Sequence, residues 1–286
     1  MKRFIPFIAA LFCLAALFEA PCAAQGTVTT RKVRLSDFPE KTTRVVLSGS
    51  ELFNNALKEQ ISASWRLSPY EFCTFEEYEK GKEVPGCYYL VAASAASGRE
   101  ADPGIIVLCL EKSGSKGDED PMKTGFEVVN LPCAASDSPS GREFAFLPAF
   151  ITIIQRYVEE AMTSDVVSYV GLSGNPTLLL KDKDLKIVFS EDDLASPKVW
   201  DPSYEDKNMV LMDEDEADEL FTQAAENTVV SYVVAPSKPE KGAVCYKMLI
   251  RADTHELCYF GKHNIRGGFP AGFAVKDLKA ISLTRK

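Results

Sequence analysis

Residues 146–164 (FLPAFITIIQRYVEEAMTS) carry the strongest helical periodicity in the chain. Leu147, Ile151, Ile154, Val158 and Ala161 recur at spacings of four and three, and Phe146, Phe150, Ile153 and Tyr157 widen the same stripe. Such a broad apolar face predicts a helix covered by other elements, with Gln155, Arg156, Glu159 and Glu160 along one wet edge. We place it as the last core helix of a first domain. A membrane span fails on length, because the uncharged run over residues 144–154 is 11 residues and spanning takes about 20.

Upstream, residues 43–47 read as a strand, and Ser48 with Glu51 fits a capping box at the start of a helix over residues 51–65. Residues 70–74 return as a strand, and Thr74 with Glu77 repeats the capping pattern before a short helix. Strand, helix and strand in this order imply a right-handed crossover within one sheet. Residues 87–95 and 105–110 are continuously apolar, as strands covered on both faces are, and residues 126–131 add another. Residues 25–41 are polar, with an edge strand expected at residues 32–35. The Ser/Gly/Lys/Asp-rich residues 111–123 read as a mobile, wet loop.

The glycines and proline of residues 168–176 suggest a domain boundary. Beyond it the pattern predicts a hairpin from residues 177–180 and 185–189, a short helix at 191–194, and a loop over 197–208 carrying Trp200. A strand at 209–212, an acidic helix start at 213–219 and a strand at 229–235 follow. A hairpin at 247–251 and 256–260, a glycine-rich turn at 267–272 and a last strand at 280–284 complete the set. The expected fold class is α+β, or mixed α/β, in two domains (residues 25–167 and 168–286), each a mixed sheet with helices packed on it. Residues 46–57 (VLSGSELFNNAL) and 210–221 (VLMDEDEADELF) form a faint echo, open to either a duplication or generic strand–cap–helix grammar.

The N-terminus changes the address. Lys2 and Arg3, the apolar residues 4–18 and the small-residue exit Cys22-Ala23-Ala24 read as an export signal over residues 1–24, with Gln25 as the mature start. Lipidation of Cys22 is the alternative, and Glu19-Ala20-Pro21 is a poor approach to it. Of 32 basic and 41 acidic residues the leader holds two and one, leaving the remainder at −10. That balance disfavours nucleic-acid backbones and anionic lipid heads. Export permits disulfides, but six cysteines beyond the leader are too sparse for a disulfide scaffold. Cys245 and Cys258 flank a hairpin at a register too far apart for a bridge.

Each chemistry-bearing pattern is thin. His255, Cys258 and His263 form H-x2-C-x4-H, but strand geometry sends the first two to opposite faces and parts the histidines by about 26 Å. Gly171-Leu172-Ser173-Gly174-Asn175 misses the nucleophile elbow by one position. Ser113–Lys116 satisfies S-x-x-K from a loop expected to be flexible. Cys73 or Cys133 paired with His255 lacks a recognisable activating neighbour. The acidic run at residues 213–219 suits a helix N-terminus better than a calcium loop, and no phosphate-binding glycine loop occurs. Catalytic, cofactor-binding and metal residues are therefore assigned to none. Trp200, Phe269 and Phe273 are the candidate partner or ligand contacts, as aromatics beside or within the glycine-rich and proline-rich loops.

The segments SPYEFCTFEEY (residues 68–78) and CYKMLIRADTHELCYF (residues 245–260), together with the leader, give a chain that resembles uncharacterised exported proteins of Bacteroides-type Gram-negative bacteria. The resemblance implies a periplasmic or outer-membrane-associated setting and no catalytic residues. The expectation is a non-catalytic periplasmic or envelope-associated binding or assembly protein, with a protein or small ligand of the envelope as partner and no cofactor. The alternative is a hydrolase whose site is assembled from distant carboxylates or a Cys/His pair.

Overall fold

The computed structural model describes residues 22–23, 35–96, 104–116, 120, 123–137, 140–173, 182–240 and 242–285. Two mixed sheets of five strands each, with helices packed on them, give an α+β architecture. The first sheet holds β1 (Thr43–Leu47), β2 (Tyr70–Thr74), β3 (Tyr88–Ala96), β4 (Ile105–Lys112) and β5 (Phe126–Ala135) in the order β2-β1-β3-β4-β5. Its first three strands run parallel and the last two antiparallel. Cys22 and Ala23 pair in parallel with Ala95 and Ala96 at the end of β3.

The second sheet holds β6 (Lys186–Ser190), β7 (Met209–Met212), β8 (Thr228–Val234), β9 (Val244–Arg251) and β10 (Leu257–Asn264). Its order is β7-β6-β8-β9-β10, again with three parallel strands followed by two antiparallel ones. The two sheets thus follow one plan. A central strand leads to an edge strand, the chain crosses back to the other side, and a meander follows. A helix then closes each unit: α3 (Arg142–Thr163) in the first and α6 (Val275–Thr284) in the second. This repeat has a different register from the echo in the sequence. The echo aligns β1 and α1 (Glu51–Ser64) with β7 and α5 (Glu214–Thr222), whereas β7 and α5 correspond in topology to β2 and α2 (Phe75–Gly81).

Because β1→β2 and β2→β3 cross the sheet in opposite directions, right-handed crossovers place α1 and α2 on opposite faces. On one side α1 and α3 pack together over the sheet, with Phe38 between Trp65 and Tyr88. On the other, Tyr78 of α2 meets Tyr89 edge to face at 5.1 Å. The cap of α2 is the reciprocal one expected, Thr74 and Glu77 each bonding the other's backbone N–H. For α1 the cap is Ser50 rather than Ser48. Ser50 Oγ accepts from Phe53 N, while Ser48 N–H donates to Asn54 Oδ1 and builds the turn before it.

The long helix α3 does more than close the first unit. It is buried almost all round, and it lies between the sheets, with Phe146 stacked on Phe221 at 3.8 Å and against Tyr232 at 4.5 Å. α5 joins it on the same face of the second sheet. The two units therefore share one continuous core, and α3 belongs to both. The far face of the second sheet carries a separate core of Ile187, Phe189, Leu249, Phe273, Leu278 and Ile281.

Residues 280–284, expected as a strand, are the last half of α6. Leu278 and Ile281 are buried while Ala280 and Leu283 are exposed, a three-residue rhythm, and Asp277 Oδ2 accepts from the Ala274 N–H to hold the first turn. Residues 186–190 pair in parallel with β7 and β8 rather than forming one arm of a described hairpin. The other arm, residues 177–180, lies outside the described residues, as do most of residues 1–24 and residues 32–34 of the edge strand expected at residues 32–35, whose last residue, Leu35, is helical rather than extended. No helix among the described residues is long and apolar enough to cross a membrane.

Candidate functional site

A groove of about 520 Å³ opens on the α2 side of the first sheet, within the range of small-ligand sites. Strand alternation builds its floor. Tyr89, Val91 and Ala93 of β3 stand directly opposite Glu111, Cys109 and Val107 of β4, so all six share one face. Tyr78 of α2 forms one wall, and Phe126 with the neck of the 113–125 loop forms the other. That neck is pinched by two glycines. A Cβ on Gly114 would sit 2.0 Å from the Lys123 carbonyl oxygen, and one on Gly125 would sit 1.9 Å from that of Gly114. Gly114 also has φ +140°, so side chains are excluded here on two counts.

The chemistry of the groove centres on Glu111. It lies directly opposite Glu127 across the β4–β5 pair, and like charges at such a position repel. Burial pushes the Glu111 carboxyl above its ordinary value and the neighbouring Glu127 adds to this, against a hydrogen bond from the Tyr78 hydroxyl and the pull of Lys82 and Lys116. The folded chain therefore holds this proton to higher pH than the unfolded chain. The stability it contributes is complete below the unfolded value of about 4.3 and is lost as pH rises through the folded value. Glu111→Gln should flatten that decline, so the urea midpoint of the variant should gain on wild type between about pH 4 and pH 8. A constant difference across that range would refute the assignment.

Each sheet also has a crevice at the carboxyl ends of its parallel strands, where the chain order reverses and α/β proteins commonly bind ligands. In the first unit it is a cavity of about 30 Å³ between Ser48, Phe53, Ser94, Cys133, Glu143 and Phe150, room for little more than a water molecule. In the second it is a cleft of about 240 Å³ containing Arg142, Asp192, Asp193, Glu214 and Tyr232. Arg142, the first residue of α3, is buried there among three carboxylates. Its Nε and Nη2 reach Asp218 at 2.8 Å, Nη1 reaches Glu214 at 3.1 Å and Asp193 at 3.3 Å, and Nη2 also donates to the Ser231 carbonyl. Its faces lie against Phe146 and Tyr232.

Asp193 in turn accepts a 2.5 Å hydrogen bond from Ser231 Oγ. Burial pushes the Asp193 and Glu214 carboxyls up, and the Arg142 charge opposes this. With its guanidinium occupied by protein partners, Arg142 is a latch from the first unit to the second and not a receptor for an anion. No signal in the sequence pointed to it. Its acidic partners lie 51 to 76 residues away, and the run at 213–219 fully explains itself as a helix start, with Asp213 as the N-cap of α5.

The three aromatic candidates do not come together. Phe273 is fully buried against Phe189 at 5.1 Å and Tyr259 at 5.9 Å, so it has no surface to offer a partner. Gly272 explains its position: with φ +103° and a would-be Cβ 2.5 Å from Ala195 N, it lets the glycine-rich loop close onto residues 193–195. Trp200 is half-buried on Phe189 and Tyr204. Phe269 alone of the three is exposed, under Arg266 at 4.7 Å.

The thiols and imidazoles are also occupied separately. Cys73, Cys87, Cys109, Cys133, Cys245 and Cys258 are all free thiols. Burial pushes Cys73 and Cys245 up to about 11, Cys258 up to about 12 and Cys133 further still, the opposite of an activated nucleophile. His255 sits in a turn at φ 56°, stacked on Phe221, and His263 Nε2 meets the Pro270 carbonyl at 2.8 Å. Ser113 is not in a floppy loop as expected. It is buried, its N–H donates to the Cys87 carbonyl and its hydroxyl ties Cys87 to the end of β4. Among the described residues no group of three or more His, Cys, Asp or Glu is placed to hold a metal ion.

A buried ion pair holds the far core. Lys247 on β9, 1% exposed, meets Asp277 of α6 at 2.6 Å. Lys247→Met with Asp277 retained should destabilise by about 3 kcal/mol in urea unfolding, and Lys247→Met/Asp277→Asn, which removes the stranded charge and keeps an oxygen for the Ala274 N–H, should recover part of it. Equal loss in the single and double variants would contradict this account.

Comparison with protein-family models, with curated proteins and with solved structures finds no match to this chain.

Proposed function

We propose that the chain is an exported periplasmic or envelope-associated binding protein that engages an envelope ligand or protein through the α2-side groove of its first sheet. The groove carries the reading: an apolar floor of Val91, Ala93 and Cys109 is combined with a small polar set, Tyr78, Glu111 and Glu127, that can orient a ligand. The Lys2-Arg3 start, apolar run and small-residue exit support the export address. Thiols pushed up by burial argue for binding over Cys/His chemistry.

Envelope extract passed over the chain starting at Gln25 should yield a component retained by wild type and lost with Ala93→Phe, which fills the groove. Matched thermal midpoints of the two proteins make the comparison fair. Identical retention by both, or retention of nothing, would sink the proposal.

One observation favours a hydrolase instead. Glu111 and Glu127 face each other across neighbouring strands and both line the groove, and a pair of carboxylates is what glycoside hydrolysis uses. Hydrolysis of envelope glycans that disappears in both Glu111→Gln and Glu127→Gln would establish that reading, and hydrolysis surviving either change would remove it.

A further inference from the structure

The outward arc of α6 mixes apolar and basic side chains, although the fold uses only the inward arc. Asp277, Leu278 and Ile281 face inward and are buried, and Asp277 is spent on Lys247. On the other side Val275, Lys276, Lys279, Ala280 and Leu283 are all exposed, Val275 at 41% and Leu283 at 56%. At 3.6 residues per turn these five positions fall within about 140° of the helix circumference. Two large aliphatic side chains with two lysines between them suit a surface that is both apolar and negative.

The loop before α6 extends this arc. Phe269 is exposed at its tip, with Arg266 over the ring. His263 Nε2 meets the Pro270 carbonyl, and Lys276 lies within electrostatic reach of the same imidazole, so the loop and the first turn of α6 are neighbours.

The charge distribution points the same way. Residues 262–286 hold six of the chain's 32 basic residues and one of its 41 acidic ones, the buried Asp277. Of the six, Lys276 and Lys279 stand on the arc and Arg266 on the loop, all exposed. Lys279 also acts on Asp201, whose Oδ1 already accepts from the Ser203 N–H. The acidity of the whole chain argues against an anionic surface only when charge is averaged. Screening confines such a surface to charges within about 8 Å of it.

We infer that the outer arc of α6, with the Phe269 loop beside it, docks on an anionic phospholipid bilayer surface. Val275, Leu283 and Phe269 enter the headgroup layer, and Lys276, Lys279 and Arg266 meet lipid phosphates. Lysine favours lipid over an acidic protein here. It is depleted in protein interfaces, whereas in a headgroup layer its stem lies along apolar groups and its ammonium reaches water and phosphate. Three cations and three partly exposed apolar side chains give a reversible, salt-sensitive, peripheral attachment. It uses the second unit, the groove lies on the first, and neither reading depends on the other.

Lysine acetylation read by mass spectrometry tests this on the full chain of 286 residues, with exposed Lys58 of α1 as the internal control. Vesicles of equal parts phosphatidylglycerol and phosphatidylcholine should slow acetylation of Lys276 and Lys279 about fivefold or more and leave Lys58 unchanged. Pure phosphatidylcholine vesicles should protect neither, and about 0.5 M salt should abolish the effect. Val275→Gln/Leu283→Gln keeps both lysines and alters only exposed positions, so its thermal midpoint should match wild type while the protection falls below about twofold. The inference is overturned if Lys276 and Lys279 react equally fast with and without anionic vesicles, if Lys58 slows with them, or if the double variant keeps full protection. Protection by soluble polyglutamate with none from vesicles would overturn it in favour of an acidic protein.

Discussion

Arg142→Met should lower the unfolding free energy by about 3–5 kcal/mol, because it strands buried carboxylates without a counter-charge. The Arg142 side chain is 8% exposed and Asp193 is 4% exposed, with Asp218 and Glu214 progressively more open. Asp193 bears most of the penalty, since water can partly solvate Glu214 and Asp218. A sharper consequence follows from the pH dependence. Without Arg142, burial of Asp193 is opposed only by the Ser231 hydrogen bond, so its folded value rises further above the unfolded one. The added destabilisation should therefore be large at pH 7 and shrink as pH falls, vanishing only well below about 4, where Asp193 is protonated in both states. Adding Asp193→Asn to Arg142→Met should return part of the loss at neutral pH. Urea unfolding at several pH values measures all of this, and a loss independent of pH would show that packing against Phe146 and Tyr232, not charge, is what Arg142 supplies.

Local grammar carried most of the first unit into view. The Thr74–Glu77 cap, the continuously apolar β3 and β4 and the helical stripe around Ile151 and Ile154 are all short-range patterns, and each is realised. What escaped depends on contacts between distant segments. The tandem plan is a matter of strand order, which leaves hydrophobic alternation unchanged whichever strand is the neighbour. The shared role of α3 follows from a stripe too wide for one sheet, and only the stacking of Phe146 on Phe221 shows where its second half goes. α6 stands where the sequence pattern predicts a strand because Ile281 and Leu283 alternate over five residues, while the Asp277 bond that starts the helix lies before that window. The groove was invisible for a different reason. Val91 and Cys109 read as core from either side, and Glu111 and Glu127 look like ordinary strand-end acids until the β4–β5 register sets them opposite each other.

Phe146→Ala should cost about 3–5 kcal/mol, at the upper end of core truncations, because the ring contacts both units at once. It is fully buried, stacked on Phe221 at 3.8 Å and tilted against Tyr232 at 4.5 Å, and it covers the Arg142 guanidinium. Truncation therefore removes apolar burial, two aromatic contacts and part of the shield over the latch together. The effects of Phe146→Ala and Phe221→Ala should not add, since each removes the same ring pair. The double variant should fall short of the summed losses by about 1 kcal/mol, and a non-contacting pair such as Phe146→Ala with Ile281→Ala should add within about 0.5 kcal/mol. Since α3 is the layer through which the two sheets cohere, the same change should also loosen their cooperation. Hydrogen exchange should show β8 and β9 losing more protection than β1 and β2 if the second unit leans on α3 for one whole face of its core, while the first keeps α1. Uniform loss of protection across both sheets would mean instead that the units unfold only as one body.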